Sequence, residues 1–318
     1  MRQIGPIAIL LLAAACSATT QRAALTDSDV AAEMAVQKRL ILEQSVEEQA
    51  RLDSLGFSLM RGAAALCGDD TKPGYGFTLA TEHSFGPDRR GAARAALGLD
   101  EQLRILHVAP DSPADLAGLQ VGDPILALDG VAVAPGVAGA KAAAATLAAG
   151  RPVTLALGGA SPRAVGLAPV EICDYPIEVS NRPGVNAYAT GNRIVVTREM
   201  MWFADDMELA LVLSHELAHH VMDHVGSFFG AAAPRIELEA EADYVGLYIM
   251  ARAGYAIDEA PQFWRRVAVS FPKTAAKTNS HPETPRRFLA LAKTVDEINA
   301  KIAAGRPLEP NTRRDGNG

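Results

Sequence analysis

The chain has 318 residues, 49% of them apolar, which is enough to build the cores of two domains. Its 30 Lys and Arg against 37 Asp and Glu leave a net charge of −7. The basic residues are scattered, without the patch or stripe that a nucleic-acid partner requires.

Residues 1–16 read as a lipoprotein signal peptide. Arg2 supplies the positive start, and residues 7–15 form an apolar run too short to span a bilayer. Ala13-Ala14-Ala15-Cys16 resembles a bacterial lipobox, with Cys16 as the lipidated residue. Ser17 follows where an aspartate would favour inner-membrane retention, so the reading is a periplasmic chain anchored to the outer membrane only by its lipid. Ordinary signal-peptidase cleavage, giving a soluble periplasmic or secreted chain, stays open. After a polar tether at 17–27, residues 28–65 read as one long helix packing on the domain downstream. Asp27 or Ser28 is its cap, Leu52, Leu55 and Leu59 fall at helical spacing, and Glu47 and Arg51 form an i, i+4 pair.

Residues 66–174 change character. β-like runs at 76–81, 103–108, 125–128 and 153–157 alternate with Gly/Pro turns, and an Ala-rich helix fills 137–149. The order Ser112-Pro113-Ala114, Ala117-Gly118-Leu119, Gly122-Asp123, Ile125, Asp129-Gly130 closely resembles the middle of a bacterial PDZ domain. Gly74-Tyr75-Gly76-Phe77 matches the carboxylate-binding loop of such domains. The resemblance implies a β-rich module taking the free C-terminus of a peptide, though a spacer whose groove binds nothing stays open. Cys67 and Cys173 bracket this segment, and an oxidising periplasm allows a bridge between them; two separate thiols are the alternative.

A second domain is expected over 175–305. Its helix opens on a capping-box spacing at Asp205 and Glu208, with Leu209, Val212, Leu213 and Leu217 as the apolar stripe. This helix carries His215-Glu216-Leu217-Ala218-His219. Histidines four apart share a helix face, so both imidazoles reach one metal ion, and Glu216 is placed to deprotonate its water. Twenty residues after His219, Glu239-Ala240-Glu241-Ala242-Asp243 lies on a second helix running from near Pro234 to Gly254. Glu239 and Asp243 share a face and Glu241 points elsewhere. Glu239 is therefore the third metal ligand, and Asp243 hydrogen-bonds a ligand histidine. Three ligands leave the fourth position open, as in a catalytic zinc site. His220 and His224 are out of register and read as surface or packing residues; Trp202, Phe203, Phe263 and Trp264 read as packing.

Two more segments accompany these motifs: residues 185–198, with Asn186-Ala187-Tyr188-Ala189, Gly191 and Ile194 through Thr197, and Ser280-His281-Pro282-Glu283-Thr284-Pro285-Arg286-Arg287. Together the four resemble the HtpX/CAAX prenyl protease-like gluzincin zinc metallopeptidases over roughly residues 176–300, with a PDZ domain inserted before the peptidase core. Lacking the internal transmembrane helices of the best-known members, the chain looks like the soluble periplasmic branch.

The resemblance implies an α+β chain, with a mostly helical gluzincin domain that carries a small β-hairpin or sheet, plus the β-rich PDZ domain. It implies one zinc ion per chain, His281 as a catalytic partner for the oxyanion, and Arg287 holding local structure or pairing with a carboxylate. A substrate would lie along the hairpin edge at Asn186, Ala187 and Tyr188. The expected activity is a zinc-dependent endopeptidase of the bacterial cell envelope, cutting misfolded or misassembled proteins that the PDZ domain recruits or gates. The alternatives are a non-enzymatic PDZ adaptor with a shielded zinc site and a processing peptidase with a single substrate. A closing helix is expected at 283–303 and a disordered tail from 306.

Overall fold

The computed structural model describes residues 23–159, 161–225, 235–276 and 282–312. Cys16 and His281 lie outside the described residues.

Helix α1 (Asp27–Ala63) runs from a capping box in which the Thr26 side chain and Asp29 satisfy each other's backbone N–H groups. The cap is thus Thr26, one residue before the expected Asp27. The PDZ-like unit follows as β1 (Thr71–Gly74), β2 (Phe77–Ala80), α2 (Arg90–Leu97), β3 (Arg104–Val108), α3 (Pro113–Leu116), β4 (Ile125–Leu128), β5 (Val131–Ala132), α4 (Gly136–Ala148), β6 (Val153–Leu157), β7 (Arg163–Leu167) and β8 (Val170–Cys173). Strands β5-β4-β6-β7 form one sheet, β2 pairs with β3, and β1 pairs with β8. The register of this last pair sets Thr71 opposite Cys173. Just beyond it the Cys67 and Cys173 sulfurs stand 1.98 Å apart, with their Cα atoms 5.8 Å apart. Leu103, Ile105, Ile125, Leu155 and Leu157 form this unit's own core.

The second unit begins with β9 (Ile177–Ser180) and the hairpin β10 (Ala187–Thr190) and β11 (Arg193–Thr197). It continues through α5 (Arg198–Phe203), α6 (Asp206–Val221), α7 (Arg235–Arg252), α8 (Gln262–Ser270) and α9 (Thr284–Ala303). Its sheet has the order β10-β11-β9, with β11 antiparallel to β10 and parallel to β9. Helices α6 and α7 pack directly on each other. Their contact is close because Gly246 faces the backbone of Ser214 and His215, where a Cβ would sit only 3.0 Å from His215 N.

Helix α1 belongs to both units. Leu52, Leu55, Leu59 and Met60 join the main helical core. On one side Arg51 donates to the carbonyls of Met201 and Ala204 and to Asp206, so it leaves the expected Glu47 partner and ties α1 to the start of α6. On the other side Ser54 Oγ lies 2.8 Å from His107 Nε2, and Arg61 donates to Asp111 O at 2.8 Å. The helix is therefore a spine between the PDZ-like unit and the helical unit.

Two expectations are corrected here. Trp202 is 68% exposed, since α5 is a short helix with only one face against the core. Residues 306–312 are ordered against α9: Pro310 is buried, Lys301 Nζ donates to Glu309 O, and Asn311 Nδ2 donates to Glu297. Among the described residues no helix is long and apolar enough to cross a membrane.

Candidate metal centre and cleft

Helix α6 has the capping box expected of Asp205 and Glu208, and Leu209, Leu213 and Leu217 face the core. That orientation turns His215 and His219 toward α7. Their Nε2 atoms are 3.2 Å apart, and Glu239 Oε2 lies 3.4 Å from the first and 3.9 Å from the second. All three residues are buried. A tetrahedral ion with bonds of about 2.0–2.1 Å needs ligand atoms about 3.3–3.4 Å apart, so two imidazoles and a carboxylate at these separations fit zinc in both chemistry and spacing.

The far nitrogen of each imidazole is also engaged. His215 Nδ1 is 3.0 Å from Asp243 Oδ1. Arg287 grips the same carboxylate with both arms, Nε to Oδ2 at 2.7 Å and Nη2 to Oδ1 at 2.5 Å. Its guanidinium sits over the Trp264 ring, with Cζ 3.4 Å from the centroid. Trp264 therefore does more than fill space. His219 Nδ1 is 2.9 Å from His224 Nδ1, and His224 Nε2 is 3.0 Å from Glu241 Oε2. His224 is buried and is no surface residue. His220 is indeed packing: it stacks on Tyr175 at 4.2 Å, with Nε2 3.1 Å from Arg193 O.

The electrostatics favour one positive charge at the centre. Burial opposes a charged His215, but the hydrogen bonds it donates to Asp243 and Glu239 overcome it and push the group up to about 9. Burial, then the charge of His215, pushes His219 down to about 3. Burial alone would raise the Asp243 carboxyl; the Arg287 charge and the His215 and Arg287 hydrogen bonds hold it well below the carboxylate range. The carboxylates that draw a proton to His215 would equally stabilise a metal cation that displaces it.

Glu216 is buried beside the ligands, and burial pushes its carboxyl up from the usual range. One oxygen, Oε2, accepts from Ala189 N at 2.8 Å. This main-chain bond from β10 to α6 was not legible in the sequence. It also shows which way the edge strand faces, since Ala189 N–H points away from β11. By the two-residue alternation of a strand, Ala187 presents its main-chain groups on the same free edge.

A cavity of about 390 Å³ opens beside His215 and Glu216. Asn186 and Ala187 line it, as do Phe203, Val212, Phe263, Trp264 and Phe271. Tyr188 does not: it lines a different recess on the opposite face of the sheet, beside Glu178 and Arg193. Within β10 the Tyr188 side chain points to the face opposite that of Ala187, and Asn186, just before the strand, joins Ala187 in the cleft wall.

Gly74, Tyr75, Gly76 and Phe77 sit together at the turn between β1 and β2. Gly76 has φ +82°, and a Cβ there would meet Ser112 Cβ at 2.0 Å, so no other residue fits without displacement. The turn opens into a cavity of about 820 Å³ whose other wall is α1, through Asp53, Gly56, Phe57 and Met60.

The fold joins a PDZ-like unit to a mostly helical unit that holds a candidate metal centre, and known families match stretches of both. The profile of Peptidase family M48 matches residues 163–233, which contain the hairpin and the histidine motif and end before Glu239. A PDZ domain profile matches residues 104–157. The chain is similar to the Mitochondrial metalloendopeptidase OMA1 of Arabidopsis thaliana, at 26% identity over 174 residues. That alignment covers 43% of this chain and 36% of the relative, so the chain spans little more than a third of that relative's length. It also has a likeness to the crystal structure of the HtrA3 PDZ domain bound to a phage-derived ligand (FGRWV). That match has 22% identity and a TM-score of 0.24, covering 32% of this chain and 88% of the other.

Proposed function

We propose that the chain is a zinc-dependent endopeptidase of the bacterial cell envelope. The observation that carries this reading is the buried His215–His219–Glu239 cluster with Glu216 beside it and a free strand edge along the same cleft. When bound, zinc lowers the pKa of its water toward about 7 and polarises the scissile carbonyl. Glu216 takes the proton of the attacking water and returns it to the leaving amine. Its raised affinity for that proton suits the task, and the Ala189 N–H bond fixes the carboxylate's position. Ala187 offers main-chain groups to an extended substrate, giving affinity with little demand on sequence. Phe203, Val212, Phe263 and Phe271 make the adjoining space apolar, which favours a bulky apolar side chain next to the cut.

No described residue of the cleft lining comes from 71–173. This supports recruitment by the PDZ-like unit over occlusion. Misfolded or misassembled envelope proteins are the substrate class we favour, with the PDZ loop taking free C-termini. Cys16 would supply a lipid anchor to the outer membrane, and the Cys67–Cys173 contact would be a disulfide in that oxidising compartment.

Casein cleavage by purified protein tests the activity. It should stop with o-phenanthroline and return with added Zn²⁺, and Glu216→Gln should keep zinc yet lose cleavage. Cleavage that survives chelation, or persists in Glu216→Gln, refutes the mechanism. Palmitate labelling that Cys16→Ala fails to abolish removes the anchor. Two reactive thiols on denatured, unreduced protein remove the bridge.

A further inference from the structure

The two histidine ligands are backed by different devices. Behind His215 stands a buried carboxylate clamped by an arginine. Behind His219 stands another imidazole. Helix α6 ends at Val221, and Asp223 takes a left-handed φ of +59°. The chain then doubles back, with His224 N–H donating to His219 O at 2.8 Å. That reversal buries His224 to 3% exposure, its ring 5.1 Å from the His219 ring.

With His219 Nε2 reserved for a metal, one arrangement of hydrogens satisfies the contacts of His219 Nδ1, His224 and Glu241. A metal-binding Nε2 needs its lone pair, so a neutral His219 carries its hydrogen on Nδ1 and donates it. The atom 2.9 Å away is His224 Nδ1, which must therefore accept. His224 then carries its own hydrogen on Nε2, where Glu241 Oε2 waits at 3.0 Å. Glu241 sits two residues from the ligand Glu239 and is 39% exposed at its side chain, so this chain of bonds runs from the buried centre to the surface.

We propose that His224 and Glu241 are positioning residues that fix the tautomer and ring orientation of His219 for metal binding. The proposal rests on the metal-centre reading above. It is tested by zinc affinity in the full-length protein, read by competition with a chromogenic chelator, alongside thermal unfolding of the metal-free protein. His224→Ala removes the acceptor and should weaken Zn²⁺ binding by about 10–100-fold, the usual effect of losing a ligand's hydrogen-bond partner. His224→Asn places an amide oxygen near the lost Nδ1 and should recover most of that affinity, and Glu241→Ala should lose less than His224→Ala. Zinc bound by His224→Ala as tightly as by the wild type overturns the proposal. So does a His224→Asn variant as weak as the alanine one, which would mark His224 as filling space. Should His224→Ala fail to fold, the Asn and Glu241→Ala comparison decides: unchanged affinity in Glu241→Ala with no gain of Asn over other polar substitutions overturns it. A wild-type chain that takes up no zinc would instead refute the metal centre itself.

Discussion

Arg287→Met should be among the costliest single changes in this protein, and the reason can be worked from the structure. Arg287 and Asp243 are 6% and 5% exposed, and their bidentate contact is the main compensation for a carboxylate held out of water. Methionine keeps much of the aliphatic stem but removes the guanidinium over Trp264, its charge and both donors. Removing one member of a buried ion pair costs about 3–5 kcal/mol, and the His215 contact that remains to Asp243 places this loss toward the lower end. At roughly 2–4 °C per kcal/mol for folded units of 150–250 residues, the unfolding temperature should fall by roughly 6–20 °C. The measurement is thermal unfolding followed by circular dichroism, with chelator present so that loss of metal does not contribute. Adding Asp243→Asn to the same chain removes the carboxylate that has lost its arginine and should restore most of the loss. Unfolding of Arg287→Met at the wild-type temperature would refute the argument. A double variant that falls as far as the sum of the two single changes would also refute it.

Glu239→Ala should abolish stoichiometric zinc uptake, as measured by elemental analysis, while leaving the helical signal intact; retained zinc would remove Glu239 from the ligand set. Gly246→Ala presses a methyl against the backbone of His215 and should destabilise by about 1–3 kcal/mol through overpacking, partly offset by better helix propensity, and should weaken zinc binding in the chelator assay. Unchanged zinc affinity would mean that the α6–α7 approach is not needed at that spacing. Gly76→Ala should lower thermal stability, because φ +82° and the contact with Ser112 both oppose it, whereas Gly166→Ala, which meets nothing within 4 Å, should not. Equal effects of the two would discount the strain.

The parts of this protein that depend on local pattern were legible in its sequence. The stripe of Leu209, Leu213 and Leu217 and the Asp205–Glu208 box define α6 because helix period and capping are properties of neighbouring residues. Once α6 is a helix, His215 and His219 must share a face, and Glu239 and Asp243 must share one on α7. The β4 and β6 bounds follow the same way, from short apolar runs closed by glycine and proline.

What the sequence could not supply depends on how separate elements meet. β9 finds its place only by parallel pairing with β11, across a connection that no local rule specifies. Arg51 abandons a helical neighbour for the carbonyls of Met201 and Ala204 at the end of α5, because a buried helix end with unpaired carbonyls is the stronger demand. His224 looked idle because it lies five residues beyond His219, off the helical register. A left-handed turn at Asp223, a residue with no glycine signature, folds it back beneath the ligand. Residue types and spacing thus decided which side chains could hold a metal. Tertiary packing decided which neighbours hold those side chains in place, since hydrogen-bond partners are set by distances in space that sequence separation does not encode.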